Sequence, residues 1–302
     1  MRRVLGVVLA VLVLWGSAAR AGIPEDVLET PDSFGDQVIF YYDARADFTT
    51  FINIRNGNFS PVTVNVLFYG PTFDTPFTKA VTLTDGALTT IDVGGLRATG
   101  LPAQAGVAIA TVVDELGQAI ATNALTGNFT VANLLTGSAF GAHGAARSAH
   151  DGDGLLLPGG QAIGIETPLQ AIRPRGVLLA SYYNPDTLAP VSASGNQLIF
   201  INFRDTYGPT YGAATGSTTW NVRTTRSSGG VTSETTFTAN GVTVTDLASV
   251  AGSGVNGAAG GMVFLADNDT PGLNRLVYFT ESLGTFGTGY LLPPLKFIPL
   301  PD

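Results

Sequence analysis

Two kinds of group in this chain have the residue types and spacing to do chemistry. One is carboxylates set two apart on short loops; the other is tyrosines gathered around a single aspartate. Asp267-Asn268-Asp269-Thr270 places two carboxylates on one predicted hairpin tip. Calcium takes about six to eight oxygen ligands, and an Asp-x-Asp loop supplies several of them. The expected chemistry is therefore calcium binding at Asp267 and Asp269, and Asp114-Glu115 forms a matching acidic tip earlier in the chain. Asp151-Gly152-Asp153-Gly154 repeats the pattern. Neither loop carries the full calcium-loop spacing with its terminal Glu, and a β-turn with solvated carboxylates accounts for both.

Asp205, Tyr207 and Tyr211 fall in one loop. Tyrosine joins an apolar ring to a polar tip, so exposed tyrosines can stack on sugar faces. The ligand expected at these three residues is a glycan. With a second acid about 5–10 Å away, the same groove would hydrolyse a glycosidic bond. Tyr182, Tyr183 and Trp220 lie in the same half but at strand positions, where core packing is expected. His143 and His150, with Asp151 and Asp153, carry metal-ligating chemistry. Their Gly and Ala neighbours impose no geometry, so a solvated linker is the expectation. No G-x-S-x-G elbow, H-E-x-x-H pair or phosphate-binding Gly loop is present, and the chain has no Cys. The balance is against an enzyme.

The elements that position these groups occur twice. Tyr41-Tyr42-Asp43, then Phe51-Ile52-Asn53-Ile54-Arg55-Asn56, is echoed by Tyr182-Tyr183-Asn184, then Phe200-Ile201-Asn202-Phe203-Arg204-Asp205. The echo continues with Val64-Asn65-Val66 against Trp220-Asn221-Val222, Asp92-Val93 against Asp246-Leu247, and Ala105-Gly106 against Ala259-Gly260. A period of roughly 150 residues is a domain with its linker rather than a solenoid unit. Asp92 with Asp246, and Asn53 with Asn202, recur at matching positions. Short polar side chains of this kind lock turns by bonding nearby backbone, a structural role that competes with ligand binding.

Within the first copy, residues 37–42, 50–55, 61–69, 78–84, 88–93, 106–113 and 119–124 read as short strands. Val62, Val64, Val66 and Phe68 alternate with Thr63, Asn65 and Leu67, the period of a strand with one face on a core. Asn56-Gly57 and Asp85-Gly86 are hairpin signals. No segment shows a helical period. The expected fold is all-β: two tandem antiparallel β-sandwiches of immunoglobulin-like architecture, related by internal duplication. The expected organisation is a signal peptide (1–21), an extended leader (22–35), a first sandwich (36–140), a Gly-rich linker (141–175), a second sandwich (176–297) and a tail (298–302). Residues 197–203 and 64–69 are uncharged and β-prone. At a sheet edge they would template association; as central strands they would be buried.

Arg2 and Arg3, an apolar run over residues 4–15 and the Ala19-Arg20-Ala21 cleavage pattern make up a secretory signal peptide. Removing Arg2, Arg3 and Arg20 takes the basic count from 15 to 12 against 23 acids, a net charge of −11. Nucleic acid is thereby disfavoured as a partner. No later run is long enough to span a membrane as an apolar helix. Charged residues make up 13% of the chain, about half the usual share, so Thr, Ser, Asn and Gly must form the surface. The expected protein is secreted, to periplasm, cell surface or medium. Its expected role is a non-enzymatic surface, matrix or filament-type protein, partnered by protein (itself included) or glycan. A carbohydrate-active protein is the alternative, and calcium is the one cofactor in view.

Overall fold

The computed structural model describes residues 34–148, 161–162, 177–183, 196–207, 210–227, 230–252, 255, 259–267, 272–283, 286–291 and 294–295. They are almost entirely β. The first half contributes β1 (Gln37–Asp43), β2 (Phe48–Asn56), β3 (Val62–Tyr69), β4 (Phe77–Leu83) and β5 (Leu88–Asp92). It continues with β6 (Ala105–Val113), β7 (Ile120–Ala121), β8 (Leu125–Asn133), β9 (Ala139–His143), β10 (Ala145–Arg147) and β11 (Gln161–Ala162). The second half contributes β12 (Val177–Tyr183), β13 (Gln197–Thr206), β14 (Gly212–Thr215), β15 (Ser217–Arg226) and β16 (Val231–Asn240). It ends with β17 (Val242–Asp246), helix α1 (Leu247–Ala251), β18 (Gly260–Asp267), β19 (Asn274–Leu283), β20 (Phe286–Leu291) and β21 (Pro294–Leu295). No helix among the described residues is long and apolar enough to cross a membrane.

Sheet I runs β10-β1-β6-β3-β4 and sheet III runs β16-β15-β18-β12-β21. Between them lies the nine-stranded sheet II, β14-β13-β19-β20-β9-β8-β2-β5, with β17 also on β13. Neighbouring strands pair antiparallel except β20 and β9, which meet in parallel through Phe286 and Ala139. That one junction carries sheet II from one half of the chain into the other. The pairing order of sheet I recurs in sheet III as β21-β12-β18-β15-β16, and β9-β8-β2-β5 recurs as β20-β19-β13-β17.

The expected tandem arrangement, two sandwiches on a linker, is not what the sheets form. Sheet II wraps sheet I. Phe40 of β1 lies under Gly127 of β8 and Gly144, where a Cβ on either glycine would strike its ring. On the opposite side, the Tyr278 hydroxyl of β19 reaches the Ile39 carbonyl of β1 (3.5 Å), and the Ala213 N–H donates to the Tyr69 hydroxyl (3.0 Å). Sheet I is thus covered on both faces at β1 and β6, and every residue of β1 is buried. Continuous apolar composition, as in Val38-Ile39-Phe40-Tyr41-Tyr42, is the pattern two-sided burial demands.

Strands β13 and β19 are likewise buried on both faces. Ile199, Ile201, Phe203, Leu276 and Tyr278 join the core of sheet I. Leu198, Phe200, Val277 and Phe279 join a second core with Leu178, Tyr182, Trp220, Val263 and Leu265. Residues 197–203 and 64–69 therefore occupy central strands, not edges. Trp220 is fully buried and packs on Phe200 at 5.7 Å between ring centroids.

Residues 141–147, expected to begin the linker, instead form the end of β9 and all of β10, docked on β8 and β1. Strand β8 was also hidden in the sequence, because Gly127 breaks its pattern. That glycine is required by Phe40 and by the Asn53 carbonyl, 2.3 Å from where its Cβ would sit. The predicted strand at 119–124 shrinks to β7, and the polar run after it carries the real strand. Two short helical turns, Gly95–Thr99 and α1, are too brief to show a period. Counted from the Val66–Val222 match, strand register also moves two sequence matches by a residue, setting Gly106 against Gly261 and Tyr42 against Tyr182.

Gly106 and Gly261 fix both central strands by close approach. A Cβ on Gly106 would lie 1.9 Å from the Tyr69 carbonyl oxygen, and one on Gly261 would lie 1.8 Å from that of Thr225. Backbone cannot yield as a side-chain tip can, so Gly106→Ala and Gly261→Ala are each expected to cost about 1–3 kcal/mol or more. Because sheet II is shared, wild type and both variants should unfold in one transition by calorimetry. Two resolved transitions, with each variant moving only its own, would contradict the shared sheet.

Candidate functional site

Two of the three loop residues singled out from the sequence meet in the structure, and what they meet is an arginine. Arg147 on β10 reaches from sheet I to Asp205 on β13. One terminal nitrogen donates to Asp205 Oδ1 (2.6 Å) and Tyr211 Oη (2.8 Å). The other donates to Asp205 Oδ2 (2.9 Å) and Asn274 Oδ1 (2.9 Å). Nε donates to Gln37 Oε1 (2.6 Å). A guanidinium has about five N–H donors, and each has an acceptor here. Asp205 is equally engaged, since Oδ1 also accepts from Tyr211 Oη (2.9 Å) and Oδ2 from Asn274 Nδ2 (3.1 Å).

Strand register builds both sides of this cluster. Gln37 pairs with Arg147 on one flank and Thr111 on the other, so all three side chains share a face of sheet I. The Gln37 amide donates onward to the Thr111 hydroxyl (2.7 Å). Across the boundary, Asn274 pairs with Phe203 and Asp205 with Ala213, setting the acceptors on adjacent strands of sheet II. The Arg147 guanidinium lies over the Phe203 ring (5.4 Å) and the Tyr211 ring (5.7 Å). Phe203 in turn stacks on Phe73 (5.5 Å), which touches Tyr69 (5.3 Å).

The electrostatics follow from burial against charge. Arg147 is 3% exposed. Burial alone would weaken its hold on the proton, but the adjacent Asp205 carboxylate outweighs that and raises its pKa. Burial pushes Asp205 up, while the Arg147 charge and the hydrogen bonds from Arg147, Asn274 and Tyr211 bring it below the usual carboxylate value. Tyr211 is held neutral well above its usual range, chiefly by burial, with Arg147 opposing and Asp205 adding.

The other sequence candidates are placed as follows. Tyr207 is half-buried, its ring edge-on to Tyr211 at 6.2 Å. Tyr41, Tyr42 and Tyr182 are buried, whereas Tyr183 is 52% exposed. Asp267 forms an ion pair with Arg275, a residue 1% exposed. Asp269, His150, Asp151 and Asp153 lie outside the described residues. His143 is exposed at the end of β9. Among the described residues, no three His, Cys, Asp or Glu side chains gather to hold a metal ion.

Both matched aspartates bond the start of a helical turn, Asp246 as the N-cap of α1 and Asp92 from two residues before the Gly94 N-cap. Asp92 Oδ1 accepts from Gly95 N–H (3.2 Å) and the Thr49 hydroxyl (2.7 Å); Asp246 accepts from Ser249 N–H (2.7 Å). Asn53 bonds Asn128 and Thr90 across neighbouring strands, and the fully buried Asn202 reaches the Ala239 carbonyl. A shallow cleft of about 380 Å³ lies between the start of β3 and the β6–β7 turn, lined by Ser60, Thr63, Asp114, Glu115 and Thr122. No family model, curated protein or solved structure matches the chain.

Sequence reasoning missed Arg147, Gln37, Thr111 and Asn274. A lone arginine inside a Gly- and Ala-rich stretch was the available signal, since a solvated linker gives no reason for it. Asp205→Asn leaves a buried guanidinium without its counter-charge and should cost about 3–5 kcal/mol. The Arg147→Met, Asp205→Leu double variant should lose less than its two single variants added together. Urea midpoints at neutral pH measure both effects, and strict additivity would mean the two groups are not coupled.

Because the folded pKa of Asp205 lies below its ordinary value of about 3.9, its contribution is fully present above that pH. It is lost as pH falls from there through the folded value. The acid slope of stability should therefore be shallower in Asp205→Asn than in wild type. Tyr42, pushed up to about 12 mainly by burial, acts at the other end. Its stabilisation is complete below about pH 10 and is lost as pH rises through the folded value.

Proposed function

We propose that the chain is an exported, non-enzymatic structural subunit acting by assembly or by binding a protein surface. We further propose that its two halves, each built of one five-stranded sheet and a share of sheet II, arose by internal duplication. The recurring strand order supports the duplication, as do the tyrosine–glycine pairs Tyr42–Gly106 and Tyr182–Gly261. Export rests on the signal-peptide pattern of residues 1–21.

The observation that carries the functional reading is the saturated Arg147–Asp205 cluster. Four of the five Arg147 hydrogen bonds, and both oxygens of the Asp205 carboxylate, act between the two halves of the chain. A catalytic or ligand-binding charge needs free valence facing a substrate. This one is a strut, and it turns two modules into one stiff body whose outward features are strand edges and Thr-rich faces. For Asp205 and Tyr211 we favour that role over stacking on a sugar, because the Tyr211 ring is 8% exposed and lies against the guanidinium.

Light scattering on residues 22–302, over a range of concentrations and with or without calcium, tests the proposal. Concentration-dependent oligomers are expected. A monomer under every condition would remove the assembly reading, and binding on a glycan array would then favour the carbohydrate alternative. Assembly only with calcium would assign Asp267 and Asp269 a role.

A further inference from the structure

Exposed strand edges are templates for pairing, and folded proteins blunt them with short strands, bulges or inward-pointing charges. Most described edges of this protein follow that rule. β10 has 3 residues, β21 has 2, β14 has 4, and β5 and β17 have 5 each. β4 is longer, at 7 residues, and carries Lys79 half-buried in the inward row with Phe77, Val81 and Leu83. A strand added there would trap that ammonium away from water.

β16 is different. It has 10 residues and stands at the outer end of sheet III. Its single irregularity is at Thr224/Thr225, opposite its first residues, and from Ser233 to Asn240 it pairs with β15 in unbroken register. Val66 pairs with Lys79 in sheet I, and the corresponding pair in sheet III is Val222 with Thr235. The position that guards β4 with a charge therefore holds a threonine in β16.

We infer that the β16 edge pairs antiparallel with β16 of a second copy of this chain, joining two sheets III across a two-fold axis. The inference rests on the assembly reading above and names its contact. Glu234 is the one ionisable residue of β16, and it lies 3.6 Å from Arg223 of the neighbouring strand. Pairing centred on Thr236 sets Glu234 opposite Thr238 of the second copy, so no like charges meet. In a chain with net charge −8 before processing, few surfaces meet their own copy without repulsion. The threonines of β16 already make cross-strand bonds, as Thr238 does with the Thr219 hydroxyl at 2.9 Å. A second copy extends that ladder, and threonine pairs are among the favourable cross-strand neighbours. The same surface on both partners is what a two-fold interface requires.

The test is the self-association of residues 22–302 by light scattering and sedimentation. Three chains are compared: wild type, Thr236→Lys on the exposed face of β16, and Thr82→Lys on the exposed face of β4. Thr236→Lys places two ammonium groups against each other and should weaken self-association on the order of tenfold or more. Thr82→Lys should leave it unchanged. Added salt should restore part of the loss, because the repulsion is screened, and the urea midpoints should match wild type. If wild type assembles and Thr236→Lys assembles equally well, the β16 contact is wrong while the assembly reading stands. If both variants weaken assembly alike, the effect is general charge and the contact is again overturned. A wild type that stays monomeric overturns both.

Discussion

Arg147 carries a positive charge to a place water does not reach, and the two halves of the chain are arranged around neutralising it. A guanidinium in such a site is tolerable only with a matched counter-charge and a partner for every N–H. The first half alone offers Gln37, which satisfies Nε. The carboxylate, the phenol and the amide that complete the shell come from β13, the loop before β14, and β19. Separating the halves would strand both the arginine and Asp205, so each half lacks part of its own stable interior.

Packing says the same in apolar terms. A sandwich that stood alone would expose the outer face of each sheet and show alternating residues along its strands. β3 does alternate, with Val62, Val64 and Val66 buried between half-buried Thr63, Asn65 and Leu67. β1 and β6 do not, because β13 and β19 cover the side that would otherwise be wet. Tyr278 is the residue where the layers join: its ring packs edge-on to Phe129 (5.3 Å) while its hydroxyl reaches the His143 carbonyl. Burial raises its pKa, so it remains a neutral donor.

Much of this was legible in the sequence, and the losses have physical causes. The alternation in residues 62–68 located β3, the turn at Asp85-Gly86 separated β4 from β5, and the doubled motifs pointed to a repeated strand order. Unbroken apolar runs such as residues 38–42 indicated strands without saying that both faces would be covered. Gly127 and Gly141 disguised β8 and β9, because a glycine that admits a neighbouring ring or carbonyl looks in sequence like a glycine that ends a strand. Arg147 was lost for a related reason. Its meaning lies in Asp205, 58 residues away, and no local pattern connects them. Asp205 and Tyr211 were noticed for their chemistry, but the chemistry they perform is with another part of the chain.

The positions at which the halves differ bear on what each does. Register pairs Val112 with Val64 in sheet I and Asp267 with Trp220 in sheet III. It pairs Asn128 with Asn53 in the first half and Arg275 with Asn202 in the second. The second half thus holds the Asp267–Arg275 ion pair where the first holds a valine and an exposed amide ladder. A buried pair contributes little net stability against apolar residues of equal size, yet breaking it is costly. This one joins β18 of sheet III to β19 of sheet II, so it favours one fixed packing of those two sheets over shifted alternatives, and sheet III is the sheet with the long edge strand. If β16 pairs with a second copy as proposed, sheet III gains from a fixed register, since a shift of one residue would turn Thr236 and Thr238 to the other face.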